Sequence, residues 1–84
     1  MSEFGYLDEL FAEIEKRRAA DPSESYTAQL LADVPRASRK LGEEAVETVV
    51  AALSGNDQEL RAEMADLTYH LLALLAARGL SPAQ

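Results

Sequence analysis

The chain has no cysteine and no tryptophan among its 84 residues, and aromatic residues make up only 6%. Without cysteine, disulfides and thiolate metal sites are excluded, so any bound metal must have oxygen or histidine ligands. β-Branched residues are few, and the apolar 48% consists mostly of alanine and leucine, which are strong helix formers. The composition therefore predicts an all-α fold.

Long apolar runs and a positive net charge are missing as well. The most apolar stretch, 71–77, is too short to span a bilayer, and the N-terminus lacks the basic and apolar regions of a signal peptide. The 15 acidic residues outnumber the 8 lysines and arginines and give a net charge of −7, which disfavours binding to nucleic-acid backbones. We therefore expect a cytoplasmic protein that binds neither a membrane nor nucleic acid.

The length suits a single domain, 1–84, whose small core would benefit from sharing with a second copy. Apolar residues at helical spacing predict a first helix over 6–20, which ends before Pro22. A short second helix is predicted within 27–33, with Ser25 or Thr27 as its cap.

Two longer helices follow in the second half of the chain. Pro35 fits the first turn of the third helix, for which Asp33 is a candidate cap, and the helix ends at Ser54 and Gly55. Asn56 is the predicted cap of the fourth helix, with Glu59 completing a capping box. Because the turn between them is tight, these helices should form an antiparallel hairpin at the centre of a bundle of about four helices.

Apolar residues at helical spacing predict which faces of this hairpin point to the core. The third helix carries such a face at Leu41, Ala45, Val49 and Leu53, and the fourth at Leu60, Met64, Leu67, Leu71, Leu74 and Leu75.

Acidic residues border both faces. Glu44 and Glu47 share one face of the third helix with Glu43 beside them, whereas Glu63 and Asp66 lie three residues apart on the fourth. Across an antiparallel hairpin the two groups should fall at similar heights. Clustered like charges repel each other, and a hard divalent cation such as Mg²⁺ offsets that repulsion. The alternative interpretation of each single glutamate is an ordinary solvated helix face.

The sequence resembles phosphoribosyl-ATP pyrophosphatase, within the all-α (MazG-like) nucleoside-triphosphate pyrophosphatases. The resemblance rests on KLGEEAVE at 40–47 and EMADLTYHLL at 63–72, with further matches at 7–17, 25–27 and 78–80. It implies Mg²⁺-dependent hydrolysis of phosphoribosyl-ATP to phosphoribosyl-AMP and pyrophosphate, the second step of histidine biosynthesis, by a homodimer. The metal ligands it implies are Glu44, Glu47, Glu63 and Asp66.

Roles for the remaining candidates stay open between catalysis and structure. Either Glu43 or Glu44 is the hypothetical group that orients or deprotonates the attacking water. Lys40 and Arg36 reach a substrate phosphate in one interpretation and pair with nearby acids in the other.

Three further candidates lie outside the acidic pairs. His70 contacts phosphate or makes a structural hydrogen bond inside the bundle. Tyr26 and Thr27 meet substrate according to the resemblance, whereas spacing alone indicates only the start of a helix.

Two other functions are compatible with the same pattern. A general or housecleaning nucleoside-triphosphate pyrophosphatase would keep the carboxylates and Mg²⁺ and differ in its base and ribose pocket. A non-catalytic helical dimerisation module would carry the acids without using them.

Overall fold

The computed structural model describes residues 5–82, and no β-strand occurs within that range. Its helices are α1 (Gly5–Lys16), α2 (Tyr26–Leu31), α3 (Val34–Ser54) and α4 (Asp57–Ala77), with a 3₁₀ turn at Arg17–Ala19 after α1. The predicted all-α fold is confirmed. None of the helices in the described range is long and apolar enough to cross a membrane.

The first helix ends earlier than the predicted 6–20, because the chain tightens into the 3₁₀ turn after Lys16. Within that turn the Arg18 guanidinium donates to the carbonyl of Ala76 at 2.7 Å and also to Glu15 at 2.7 Å. Arg18 thereby connects the end of α1 to the C-terminal end of α4.

Side-chain caps begin α2, α3 and α4. The acceptors are Ser25 Oγ, Asp33 Oδ1 and Asn56 Oδ1, each bound by the backbone N–H three residues later at 3.0 to 3.1 Å. The predicted capping box at α4 is only half present, because the Asn56 N–H lies 3.4 Å from Ser54 Oγ, which takes the place predicted for Glu59.

Glycines end the two long helices in the left-handed conformation that only glycine adopts without strain. Gly55 has φ 80° at the end of α3, and Gly79 has φ 75° just beyond α4. After α4, the N–H of Leu80 bonds to the carbonyl of Leu75 at 2.9 Å, which closes the turn. The stop at Gly55 turns the chain back, so α3 and α4 pack as the predicted antiparallel hairpin.

The core lies where α1 and α2 pack against this hairpin. Buried side chains form two adjacent clusters, one of Ile14, Leu31, Leu72 and Ala76, the other of Leu30, Ala37 and Ala73. Alanines supply many of the buried positions on the long helices, and small side chains let helices approach closely.

The predicted apolar faces of the hairpin are confirmed only in part, since Leu74 and Leu75 pack against the core whereas other members are exposed. Leu53 is 83% exposed and Val49 58% exposed on α3, and Met64 is 52% exposed on α4. Apolar residues surround most of α4, so spacing alone does not single out the face marked by Leu72, Ala73 and Ala76. Four exposed residues on α3, which we term the valine strip, are Val46, Val49, Val50 and Leu53.

Candidate metal centre

The acidic residues of the hairpin come together as their helical heights predict. Glu44 projects from α3, whereas Glu63 and Asp66 project from α4. One carboxylate oxygen from each of these three side chains lies within 4.8 Å of the other two. We term these three residues the acidic cluster.

Burial makes the acidic cluster costly without a positive charge. Glu44 is only 9% exposed, and within residues 5–82 its Oε2 has no hydrogen-bond partner. Glu63 Oε2 is likewise buried without such a partner in the described range. A buried carboxylate oxygen that accepts no hydrogen bond destabilises the fold, because its lost hydration is not replaced.

The pKa directions follow from that environment. Burial raises the pKa of the Glu44 carboxyl, and a hydrogen bond shared with Glu47 and the charge of Glu47 raise it further. Burial also raises the pKa of Glu63, and the charge of Glu47 adds to the shift. Glu47 therefore lies beside both helices' acids and belongs electrostatically to the same group.

This donor set suits a hard divalent cation. Mg²⁺ prefers carboxylate oxygens and keeps some of its coordination positions for water and phosphate. Inward-facing oxygens without donors are the groups that such an ion would satisfy, and its charge would relieve the repulsion that raises both pKa values.

Glu43 occupies a different place. Its carboxylate is 3.1 Å from Lys40 Nζ and 3.7 Å from Arg39 Nε, and its side chain is 50% exposed. It follows Gly42 on the solvent side of α3 and forms surface ion pairs. The structure thus brings Glu44 into the acidic cluster and leaves Glu43 beside it, so a catalytic role for Glu43 stays a prediction.

Thr48 joins the two helices at the acidic cluster, a role that the sequence analysis missed. Its hydroxyl donates to the carbonyl of Glu44 at 2.8 Å and lies 3.3 Å from the carbonyl of Glu63. The only sequence signal was its position four residues after Glu44. A helical threonine often bonds its own helix, so the contact across the hairpin required the structure.

His70 connects the acidic helix to α2. It is 6% exposed, with Nδ1 2.8 Å from the carbonyl of Asp66 and Nε2 2.9 Å from the hydroxyl of Tyr26. A carbonyl only accepts, so Nδ1 carries the proton and Nε2 accepts from Tyr26. The structural hydrogen bond predicted as one alternative for His70 is therefore present.

Thr27 makes a second polar contact between α2 and α4. Its hydroxyl is hydrogen-bonded to the hydroxyl of Tyr69, and the Tyr69 ring stacks at 6.5 Å on that of Tyr26. The start of α2 is thus fixed next to α4, with Tyr26 40% exposed.

Lys40 and Arg36 lie on the turns of α3 that precede Glu44. Lys40 bonds Glu43, and this bond and the charge of Glu43 raise the pKa of Lys40. Desolvation raises the pKa of the Tyr26 hydroxyl, whereas the charges of Lys40 and Arg36 act to lower it. Both cations are therefore close enough to Tyr26 for their charges to act on its hydroxyl.

Known proteins are similar in sequence to this chain over most of its length. The profile of the phosphoribosyl-ATP pyrophosphohydrolase family matches residues 7–84. A phosphoribosyl-ATP pyrophosphatase of Caulobacter vibrioides is 59% identical over 75 residues, which cover 89% of this chain and 70% of that protein. One of Erythrobacter litoralis is 57% identical over 76 residues, covering 89% of this chain and 73% of the relative.

Proposed function

Because the chain belongs to the phosphoribosyl-ATP pyrophosphohydrolase family, we propose that it hydrolyses phosphoribosyl-ATP to phosphoribosyl-AMP and pyrophosphate with Mg²⁺. This reaction is the second step of histidine biosynthesis. The observation that carries the proposal is the acidic cluster, in which three carboxylate oxygens from two helices lie within 4.8 Å of one another. Two of its buried oxygens lack hydrogen-bond partners within residues 5–82, which supports a cation there.

The residues proposed to hold Mg²⁺ are the acidic cluster together with Glu47. When bound, the ion would neutralise phosphate oxygens and activate water for attack on the phosphoanhydride. The protein's part is to fix the carboxylates of α3 and α4 at one place, with the Thr48 hydroxyl bridging the two backbones.

A general base must lie within hydrogen-bond reach of the attacking water. Of the two acids predicted for that role, Glu44 is better placed, because its carboxyl lies in the acidic cluster and its pKa is raised. Glu43 instead forms an ion pair with Lys40 at 3.1 Å on the exposed side of α3.

The substrate-binding side is proposed to be the start of α2 and α3. Arg36 and Lys40 supply positive charge there, and the exposed part of Tyr26 offers a ring and a hydroxyl. Thr27 and His70 are proposed to act by holding α2 in place through Tyr69 and Tyr26.

A cytoplasmic homodimer that does not bind nucleic acid is part of the same proposal. The exposed valine strip supports the dimer, because contiguous apolar residues on a helix favour a covering partner. The net charge of −7 supports the absence of nucleic-acid binding.

Pyrophosphate release from the purified protein tests the proposed reaction. Phosphoribosyl-ATP and dATP would be compared at equal concentration, each with Mg²⁺ and with excess chelator. We expect Mg²⁺-dependent release from phosphoribosyl-ATP at a kcat/KM at least about tenfold higher than for dATP. Equal values for the two substrates would favour a general nucleoside-triphosphate pyrophosphatase, and no release from either would favour a non-catalytic module.

A further inference from the structure

Positive and negative charge follow each other along one side of α3. This side carries Arg36, Lys40 and Glu44 at intervals of four residues. Residues at that interval lie on successive turns of a helix and are neighbours on its surface. At about 1.5 Å per residue, Arg36 precedes Glu44 by roughly 12 Å along the axis. A nucleotide can therefore contact both ends of this side at once.

Arg36 has an unused donor at the cationic end. Its Nε is buried, and within residues 5–82 it has no hydrogen-bond partner. The neighbouring cations differ in this respect, since Lys40 and Arg39 both pair with Glu43. A buried guanidinium N–H without an acceptor is costly, and an anionic ligand would remove that cost.

Tyr26 is within electrostatic range of both charged ends of this side of α3. The charges of Lys40, Arg36 and Glu44 all act on the pKa of its hydroxyl. His70 fixes that hydroxyl, which donates a hydrogen bond to Nε2 at 2.9 Å. A ligand that contacts Tyr26 is thus within reach of both charges.

We propose that the guanidinium of Arg36 binds the phosphate of the substrate's phosphoribosyl group. The inference rests on the proposed function, which puts the triphosphate at the acidic cluster with Mg²⁺. The phosphoribosyl phosphate is the anionic group that an ordinary nucleoside triphosphate lacks, and the carboxylates repel it unless a cation intervenes. Side-by-side donation from Nε–H and one Nη–H suits two oxygens of one phosphate.

Binding of the product phosphoribosyl-AMP, compared with binding of AMP, tests this assignment without turnover. Isothermal titration calorimetry with Mg²⁺ present would give Kd for phosphoribosyl-AMP and for AMP, which differ only in the phosphoribosyl group. We expect wild-type protein to bind phosphoribosyl-AMP more tightly than AMP. In Arg36→Gln, the Kd for AMP divided by the Kd for phosphoribosyl-AMP should fall by about tenfold or more. The matched control is Arg17→Gln, which removes the same charge from an exposed position and should leave the ratio unchanged.

Several results would overturn the assignment. These are a ratio near one in the wild-type protein, an unchanged ratio in Arg36→Gln, or an equal fall in Arg17→Gln. Circular dichroism checks that Arg36→Gln folds; if it does not, Arg36→Lys retains the charge without the Nε–H, and the same fall in the ratio is expected. Pyrophosphate release from phosphoribosyl-ATP is measured separately, so loss of the proposed function and loss of this subsite are distinguishable.

Discussion

Glu44 is a carboxylate in a position where its charge is costly. It is 9% exposed, one of its oxygens has no hydrogen-bond partner within residues 5–82, and Glu47 lies beside it. A purely structural site would favour an apolar or amide side chain here. The position is instead suited to a group that is completed by a ligand, as is common where the pKa of an acid is shifted by burial and neighbouring charge.

Replacing Glu44 by glutamine should stabilise the metal-free protein as pH rises. Because the pKa of Glu44 in the folded protein lies above its ordinary value of 4.5, the folded protein binds more protons than the unfolded chain between the two pKa values. The unfolding free energy therefore falls as pH increases through that window, and Glu44→Gln removes this loss. We expect a Tm higher than wild type by roughly 2–5 °C at pH 8 in chelator, with the difference shrinking towards pH 4.5.

Thermal unfolding followed by circular dichroism measures this difference. Glu9→Gln, on the exposed surface of α1, is the matched control and should change Tm little at either pH. A Glu44→Gln protein that is less stable than wild type in chelator at pH 8 would contradict the electrostatic account. With Mg²⁺ the order should reverse, because a ligand that binds only the folded state stabilises it.

At the scale of the element, the hairpin of α3 and α4 is what assembles the acidic cluster. Two helices contribute carboxylates to one place only if their backbones keep a fixed register. Thr48 supports that register by contacting the carbonyls of Glu44 and Glu63, one on each helix.

Thr48→Val should therefore weaken both the fold and the metal site. The change keeps the shape of the side chain but removes the hydroxyl, at a cost of about 0.5–1.5 kcal/mol in unfolding free energy. Thr68→Val is the matched control, because the Thr68 hydroxyl donates at 2.8 Å to the carbonyl of Met64 in its own helix. Calorimetric titration with Mg²⁺ should show a higher Kd for Thr48→Val than for wild type, recovery in Thr48→Ser, and little change in Thr68→Val. Equal Kd values in all three variants would contradict the proposed role of Thr48.

The boundaries of α3 and α4 were predictable from sequence because they depend on local chemistry. Asp33, Asn56 and Gly55 act on the backbone within three residues, so their roles as caps and stop follow from residue type alone. The convergence of the acids was predictable for a similar reason, since a tight turn fixes the heights of the two helices.

Which side of each helix is buried was not predictable in the same way. On α3 the exposed Leu53 and the buried Ala51 are both apolar, so spacing does not decide between them. The contacts of Thr48, and of Tyr69 with Thr27, join residues 15 and 42 positions apart, and helical periodicity carries no information about such pairs.

At the scale of the whole molecule, α1 and α2 leave one side of the hairpin uncovered. The valine strip lies there, with Val50 61% exposed and Leu53 83% exposed. A groove of about 400 Å³ runs from Val46 and Val50 to Glu47 and Glu63. An apolar surface therefore adjoins the proposed metal ligands, and a second copy that covers it would also wall one side of the site.

Val50→Lys should disrupt the proposed homodimer. Burying a valine is worth about 1.5–3 kcal/mol, and a two-fold interface contains each substitution twice. We therefore expect the dissociation constant of the dimer to rise by at least about tenfold. Size-exclusion chromatography with light scattering would measure the mass across a dilution series. Tyr6→Lys, at a 71% exposed position on α1, is the control and should remain dimeric. A wild-type protein that is monomeric at all concentrations would refute the dimer.

The central claim is that the carboxylates of α3 and α4 form the Mg²⁺ site of the hydrolytic reaction. The most direct measurement is the rate of pyrophosphate release from phosphoribosyl-ATP as Mg²⁺ is titrated, for wild-type protein and Glu47→Gln side by side. The account predicts a saturable Mg²⁺ requirement in the wild type and a rate lower by about a hundredfold or more in Glu47→Gln, with unchanged circular dichroism. Equal rates for the two proteins, or release that persists in excess chelator, would contradict it.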